Sequence, residues 1–525
     1  MLAKVHSAQI VGLETCPVDV EVDVGRGLHS FSIVGLPDKA VEEAKDRINA
    51  AIKNSGFVPP QKGNKKITVS LAPADVKKEG PIFDLAIALA NLAATNEISF
   101  NSRGRLFLGE LSLSGELRGV RGVLSIVEHA ARSGFEEVFL PETNAREAAL
   151  VRGIKIFPAK NLRMIVAHLS DRKIEGLPGT MLVEQPPTEI SVPPEVLESI
   201  NFSDIRGQES AKRAIEIAAA GAHHIAMSGP PGTGKTMLAK SLPGILPPLS
   251  FSETIEVTSI HSAAGISEGG IITLPPFRSP HHTASYVSIV GGGSWPKPGE
   301  VTLAHRGILF LDEFPEFDRR VIESLRQPLE EYAITIARAW GSHRFPARVI
   351  LVAAMNLCPC GATGLEKKEC VCSPGALMRY QRKISGPISD RIDLWVSVPE
   401  VKYDKLSDET SLESSKKVRE RVVRARDIQR ARFRTKNLGK SHGKHTSLSR
   451  TNADMGVREL KIHATLGDDL RLLLNTSAER LGFSARVYHK IIKVARTIAD
   501  LDGKTHIGKN HLLEALQYRP RQGLW

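Results

Sequence analysis

The chain has 525 residues, 42% hydrophobic and 24% charged, and carries a net charge of +12. That length exceeds one hydrophobic core and predicts about two to four domains of ordinary soluble composition. No window reaches the ~18 uninterrupted apolar residues of a membrane span, and the richest run, Leu85–Ala90, is broken by Asn91. The opening Met1-Leu-Ala-Lys-Val-His-Ser7 lacks the basic-then-apolar layout of a signal peptide, so a cytoplasmic location without membrane contact is expected.

Residues 1–175 read as a mixed α/β domain. Val18, Val20, Val22 and Val24 alternate with Asp19, Glu21 and Asp23, the period of a half-buried strand. Ala40, Val41, Ala44, Ile48, Ala51 and Ile52 form a helical stripe over 38–54 that stops before Gly56. A strand over Lys66–Leu71, a helix over Asp84–Ala94 and a hairpin over Gly109–Arg118 follow. The runs Lys78-Glu-Gly-Pro-Ile-Phe-Asp84 and Gly109–Val123 resemble the protease domain of Lon. Where that family carries its serine nucleophile and lysine base, this chain has Ile82 and Leu124. Neither side chain can attack or accept a proton, so the resemblance implies a Lon-like fold without peptidase chemistry.

A Pro-rich stretch over 176–200, with Pro178, Pro186, Pro187, Pro193 and Pro194, reads as a linker to a core over 201–400. In that core, Gly229-Pro230-Pro231-Gly232-Thr233-Gly234-Lys235-Thr236 satisfies G-x-x-x-x-G-K-[ST] between a short apolar strand and a helix start. Its glycines let backbone N–H groups face phosphates at a helix N-terminus, Lys235 reaches the β/γ-phosphates and Thr236 holds Mg²⁺. ATP and Mg²⁺ are the expected ligands. Phe202–Gln208 and the helix after it resemble the segment that precedes the phosphate loop in AAA+ ATPases. Gly307-Ile-Leu-Phe-Leu-Asp-Glu313 has the form of a Walker B strand, with Asp312 toward Mg²⁺ and Glu313 toward the attacking water. In the AAA+ order, Asn356 after the apolar Val349–Met355 matches the sensor of the γ-phosphate.

Two stretches between these strands, Pro276–Thr283 and Gly291–Glu300, read as a long flexible excursion. Its adjacent His281 and His282 are either metal ligands or, more in keeping with their divergent directions, local hydrogen-bonding groups. Ile334–Pro346 reads as a hairpin turning at Gly341, whose Arg338, Trp340 and Arg344 either contact nucleic acid or pack. Cys358-Pro-Cys360 and Cys370-Val-Cys372 supply four thiolates, the set of a structural Zn²⁺ site, with free thiols as the alternative. Arg391, in Ile388-Ser-Asp-Arg-Ile-Asp393, resembles an AAA+ arginine finger reaching a neighbouring subunit; otherwise it pairs with Asp390 or Asp393. Arg486 matches the second sensor of an AAA+ lid, and residues 401–525 read as that all-helical lid. Within it, between positions 421 and 450, Arg421, Arg424, Arg426, Arg430, Arg432, Arg434, Lys436, Lys440, Lys444 and Arg450 stand against one acid, Asp427. They form either a solvated helix face or a phosphate contact.

Phe277–Thr283, Gly291–Gly293, Pro298–Glu300, Cys358–Gly361 and Leu481–Arg486 together resemble the ComM/YifB competence family of the magnesium-chelatase-like AAA+ branch. The resemblance implies a ring-forming, hexameric ATPase that moves branched or single-stranded DNA during recombination. A chelatase subunit inserting Mg²⁺ into a porphyrin, or a nucleotide-binding scaffold without turnover, are the alternatives.

Overall fold

The computed structural model describes residues 1–525 except 63, 171–180, 191–199, 267–269, 294–295, 339–340, 366–367, 402–412, 435–449 and 521–525. Outside the described residues lie Pro178, Pro193, Pro194, Trp340, Lys436, Lys440 and Lys444, together with the side chain of Arg338. The chain divides into two compact units. One comprises Met1–Ser191, Phe251–Ile272 and Trp295–Lys297; the other comprises Val192–Ser250, Thr273–Ser294 and Pro298–Trp525.

The first unit is a mixed sheet with helices. Its strands are β1 (Leu2–Val11), β2 (Glu14–Arg26), β3 (Ser30–Val34), β4 (Lys65–Ala72), β5 (Arg105–Phe107), β6 (Glu110–Leu111), β7 (Leu117–Arg118), β8 (Glu137–Pro141) and β9 (Lys155–Ala159). Seven of them form the sheet, in the order β3-β4-β2-β1-β5-β8-β9, and β6 and β7 make the separate hairpin. The alternation in β2 does what period two requires: Val18, Val20 and Val22 are buried, while Asp19 binds Lys4 at 2.8 Å. The helix Asp84–Ala94 is apolar on nearly every side because it is buried along almost its whole length. Its Asp84 accepts two hydrogen bonds from Arg47, at 2.9 and 3.1 Å, yet burial still pushes its carboxyl up to about 6. The stripe over 38–54 forms two helices, Lys39–Glu42 and Ala44–Asn54, instead of one.

Ile82 lies in the buried turn Pro81–Phe83, and Leu124 is fully buried in the first turn of the helix Val123–Arg132. The orphan amides of that turn are met by polar groups from elsewhere in the unit. Glu147 accepts from the Leu124 amide at 3.2 Å, and the Ser262 hydroxyl accepts from the Gly122 amide at 3.1 Å. Ser262 sits on the helix Phe251–Ala264, which the chain supplies from a position beyond the phosphate loop. Part of the Pro-rich stretch also packs here: Leu182 is buried and the Thr188 hydroxyl donates to the Arg146 carbonyl at 2.8 Å.

The second unit is built on five parallel strands with the helical lid at its C-terminal end. Continuing the numbering, these are β10 (Ile225–Ser228), β11 (Phe277–Arg278), β12 (Ile308–Leu311), β13 (Ile350–Met355) and β14 (Leu394–Ser397), in the order β11-β12-β13-β10-β14. β12 and β13 are unbroken apolar runs, and β10 is apolar up to Ser228, because both faces of a parallel sheet are covered. The expectation of a flexible excursion from Pro276 is overturned. Phe277–Arg278 is the edge strand of this sheet, and Arg278 donates two hydrogen bonds to Glu300, at 2.6 and 2.8 Å. A two-residue strand has no periodicity to read; only pairing with β12 defines it. The hairpin forms from Ala333–Arg338 and Gly341–Pro346, with Arg338 opposite Gly341. Helices Ser415–Arg434, Val457–His463, Asp468–Leu481, Ala485–Leu501 and Lys509–Gln517 make the C-terminal region all-α.

Candidate nucleotide site and cysteine cluster

Register assembles the candidate phosphate site. Ser228 at the end of β10 lies opposite Met355 at the end of β13, so Gly229 and Asn356 leave the sheet side by side. Gly229 admits no side chain, since a Cβ there would stand 2.1 Å from the Val398 carbonyl oxygen. Gly232 and Gly234 adopt φ of +79° and +90°, which turns the loop into the helix Lys235–Ile245. Lys235 is buried, and its ammonium donates to the Gly229 and Pro230 carbonyls, both at 2.7 Å, and to Asn356 Oδ1 at 3.2 Å. Burial pulls its pKa down, opposed by the charge of Asp312. The Thr236 hydroxyl donates to Asp312 Oδ2 at 2.9 Å, and Asp312 Oδ1 accepts from the Glu313 amide at 2.9 Å. Thus two hydrogen-bonded pairs, Lys235 with Asn356 and Thr236 with Asp312, lie at the strand ends on consecutive residues of the helix start. The Glu313 carboxylate is exposed, its backbone has φ +52°, and His282 Nδ1 lies 3.2 Å from Oε2. His282 also lies against His281, with ring centroids 4.2 Å apart and the rings tilted by 33°, so this pair is placed beside an acid of the site.

Arg391 and Arg486 meet elsewhere. Both guanidinium groups bind Glu330, and Arg391 also donates to the Pro387 carbonyl at 2.7 Å. Arg391 is 9% exposed, and it pairs with neither Asp390 nor Asp393. Asp390 accepts instead from Ser484 at 3.0 Å. Asp393 is buried and accepts from Lys490 at 2.7 Å and from the His224 amide at 2.9 Å, which holds its carboxyl far below the usual range. Lys490 reaches back to the Arg391 carbonyl at 2.6 Å, fixing the backbone that carries that guanidinium. Glu330, which joins the two arginines, belongs to no motif and was missed in the sequence; His282 reads there as a metal ligand or a local hydrogen-bonding group, and its contact with Glu313 was not foreseen. Nothing in local spacing marks either contact.

The four cysteines come together. Their sulfur atoms all lie within 4.8 Å of one another, with Cys358–Cys360 at 3.4 Å and Cys360–Cys370 at 3.7 Å. Sulfur atoms of a tetrahedral ZnS₄ site with ~2.3 Å bonds stand roughly 3.8 Å apart, so the donor set fits Zn²⁺. Cys358 is buried, and burial alone would raise its thiol. Hydrogen bonds from Thr363 and from neighbouring cysteines pull it down instead, to about 6.

The basic run is largely engaged within its own chain. Arg421 binds Glu216 and Glu413, and Arg426 donates to the Ala219 carbonyl at 2.6 and 2.9 Å. Arg430 binds Asp427, Arg432 binds the buried Asp500, and Arg450 binds Glu459. Arg424 and Arg434 are exposed, as is Arg344 on the hairpin. No helix among the described residues is long and apolar enough to cross a membrane.

Comparisons with known proteins agree along the chain. The family described as magnesium chelatase, subunit ChlI, matches residues 201–406. Its companions, subunit ChlI of Mg-chelatase and the ChlI C-terminal model, match 20–144 and 412–519. The chain is 42% identical to the competence protein ComM of Haemophilus influenzae, covering 99% of this chain and 97% of that one. It is 40% identical to YifB of Salmonella typhimurium over the same shares of both chains. The archaeal Lon protease of Methanocaldococcus jannaschii is 32% identical over 113 residues, 22% of this chain and 17% of the protease.

Proposed function

The chain belongs to the ComM/YifB family of magnesium-chelatase-like AAA+ proteins, and from that premise we propose that it is a ring-forming ATPase that moves branched DNA during recombination. The carrying observation is the cluster of Lys235, Thr236, Asp312 and Asn356 at the ends of adjacent parallel strands, where α/β sheets bind ligands. Lys235 would exchange the Gly229 and Pro230 carbonyls for phosphate oxygens. Thr236 and Asp312 are the hydroxyl and carboxylate that would hold Mg²⁺, which neutralises phosphate charge when bound. Glu313 would orient the attacking water, and Asn356 would report the γ-phosphate.

Arg391 is assigned to the neighbouring subunit's ATP, which requires it to leave Glu330, and Arg486 to the lid's contact with nucleotide. A six-membered ring acting in the cytoplasm is the assembly in keeping with these roles. Zn²⁺ is assigned to Cys358, Cys360, Cys370 and Cys372, as a closed structural site with no position for substrate. DNA contact is assigned to the exposed Arg344, Arg424 and Arg434, because the other described arginines of the basic run serve the fold. The chelatase description of the matched families supports one rival, a subunit that drives Mg²⁺ into a porphyrin.

ATPase rate and strand displacement on a labelled four-way junction, beside single-stranded and duplex controls, separate the two. Stimulation by the junction, with affinity falling steeply in salt, is expected of the DNA motor. Activity indifferent to every DNA at low salt would reject it in favour of the chelatase.

A further inference from the structure

The cysteine cluster does not stand apart from the nucleotide site. Asn356, which touches Lys235, is only two residues before Cys358, and the loop that follows folds back over the phosphate loop. Its turn is set by the Gly361 amide donating to the Cys358 carbonyl at 3.1 Å and the Thr363 amide donating to Cys358 Sγ at 3.3 Å. The amide–sulfur bond is the kind of outer-shell contact that orients a thiolate ligand. The turn then lies against two residues of the phosphate loop itself. A Cβ on Gly361 would stand 3.3 Å from Pro231 Cδ and Cγ, and one on Gly364 would stand 3.2 Å from Pro230 Cγ. Both glycines have positive φ, +75° and +90°, so the tight turn and the close approach each favour glycine. The thiol loop therefore joins β13 at one end and rests on the prolines of the phosphate cradle at the other.

We propose that Zn²⁺ held by Cys358, Cys360, Cys370 and Cys372 clamps the phosphate loop through Pro230 and Pro231, so that loading this metal site tightens ATP binding. Four soft thiolates in a tetrahedron select Zn²⁺ over the hard Mg²⁺ assigned to Thr236 and Asp312. Without the ion, nothing covalent closes the stretch from Cys358 to Cys372. The turn bearing Gly361 and Gly364 is then free to lift from the prolines, and Asn356 loses its anchored neighbour. The effect on ATP must be reciprocal, since linked binding energies act equally in both directions. The inference rests on reading Gly229–Thr236 as the ATP site and is independent of any DNA activity.

The test uses the full chain purified without chelators, and its first readout is elemental analysis. One zinc per chain is expected; iron, or no metal, would overturn the assignment. Affinity for a fluorescent ATP analogue is then measured for the parent and for Cys370→Ser/Cys372→Ser, which removes two half-buried thiols and leaves the buried Cys358 in place. The variant is expected to lose zinc and to bind the analogue about tenfold more weakly, a coupling of ordinary size for linked sites. Equal affinity with zinc absent and circular dichroism unchanged would overturn the clamp, leaving a metal that serves stability alone.

If that variant fails to fold, two measurements keep the question open to refutation. Pro230→Ala/Pro231→Ala retains every cysteine and should keep its zinc while binding the analogue more weakly. In the parent, saturating Mg-ATP should slow zinc transfer to a competing chelator several-fold. Zinc loss at the same rate with and without Mg-ATP would refute the coupling. A parent that binds zinc but no nucleotide would instead overturn the ATP-site reading, and the clamp with it.

Discussion

Acidification should destabilise the second unit through two histidines that the fold keeps neutral. His223 and His224 precede β10 and are buried, and burial holds both pKa values down to about 4 from an ordinary 6.5. His224 Nδ1 accepts from the Leu351 amide at 3.2 Å, and its ring also bonds the Leu329 backbone, so both nitrogens are committed in the neutral form. His223 Nε2 bonds the Thr497 hydroxyl at 2.8 Å. Between about pH 6.5 and pH 4 the unfolded chain binds protons that the folded chain refuses, so stability falls as pH falls through this window. At ~1.4 kcal/mol per pKa unit, each histidine costs about 2 kcal/mol at pH 5, and the pair roughly 4.

Two neighbours titrate outside the window. Lys490, held down to about 8, stays charged throughout it, and Asp393, held far below the usual range, stays ionised. Comparison with His224→Asn isolates the histidines, since the new amide oxygen can still accept from Leu351. Urea denaturation at pH 7, 6 and 5, followed by circular dichroism and tryptophan emission, is the assay; Trp395, on β14, is buried. The parent should lose about 4 kcal/mol between pH 7 and 5 and the variant about half that. A parent with no pH slope, or a variant with the full slope, would refute the reasoning.

Four further outcomes are expected. Lys235→Ala should weaken ATP binding about 10²-fold, since one charged hydrogen bond at ~1.5–3 kcal/mol is lost, and titration of a labelled nucleotide measures it. Glu313→Gln should bind ATP normally and slow turnover by about 10²-fold or more, and a parental rate in a steady-state ATPase assay would remove Glu313 from its role. His282→Ala should raise DNA-independent turnover by up to about fivefold, the scale of one exposed polar contact, because Glu313 is no longer held at 3.2 Å. Unchanged kcat would dismiss the restraint. Arg391→Ala subunits mixed with Lys235→Ala subunits should recover part of the ATPase rate, each defect being complemented at a shared interface. No recovery in verified mixed assemblies counts against a role in trans.

What the amino-acid sequence determined by itself was local in origin. The phosphate loop, the Asp312-Glu313 strand, β13 with Asn356, the valine alternation of β2 and the helix Asp84–Ala94 all follow from short-range periodicity or a spaced motif. Loop, strand and helix starts are governed by backbone chemistry within a few residues, so a single chain displays them. The four cysteines were legible for the same reason, because close spacing constrains where their sulfur atoms can go. Tertiary structure alone decided the rest. Phe277–Arg278 became a strand through pairing with β12, and His282 met Glu313 across 31 positions of sequence. Arg391 and Arg486 converged on Glu330 from two segments far apart, while the basic run from Arg421 found acids and carbonyls that its own helix does not contain. Charge counted along a chain cannot distinguish a surface offered to phosphate from one already neutralised. Coulomb energy depends on which opposite charges the fold brings within a few ångströms, and that distance exists only once the chain has folded.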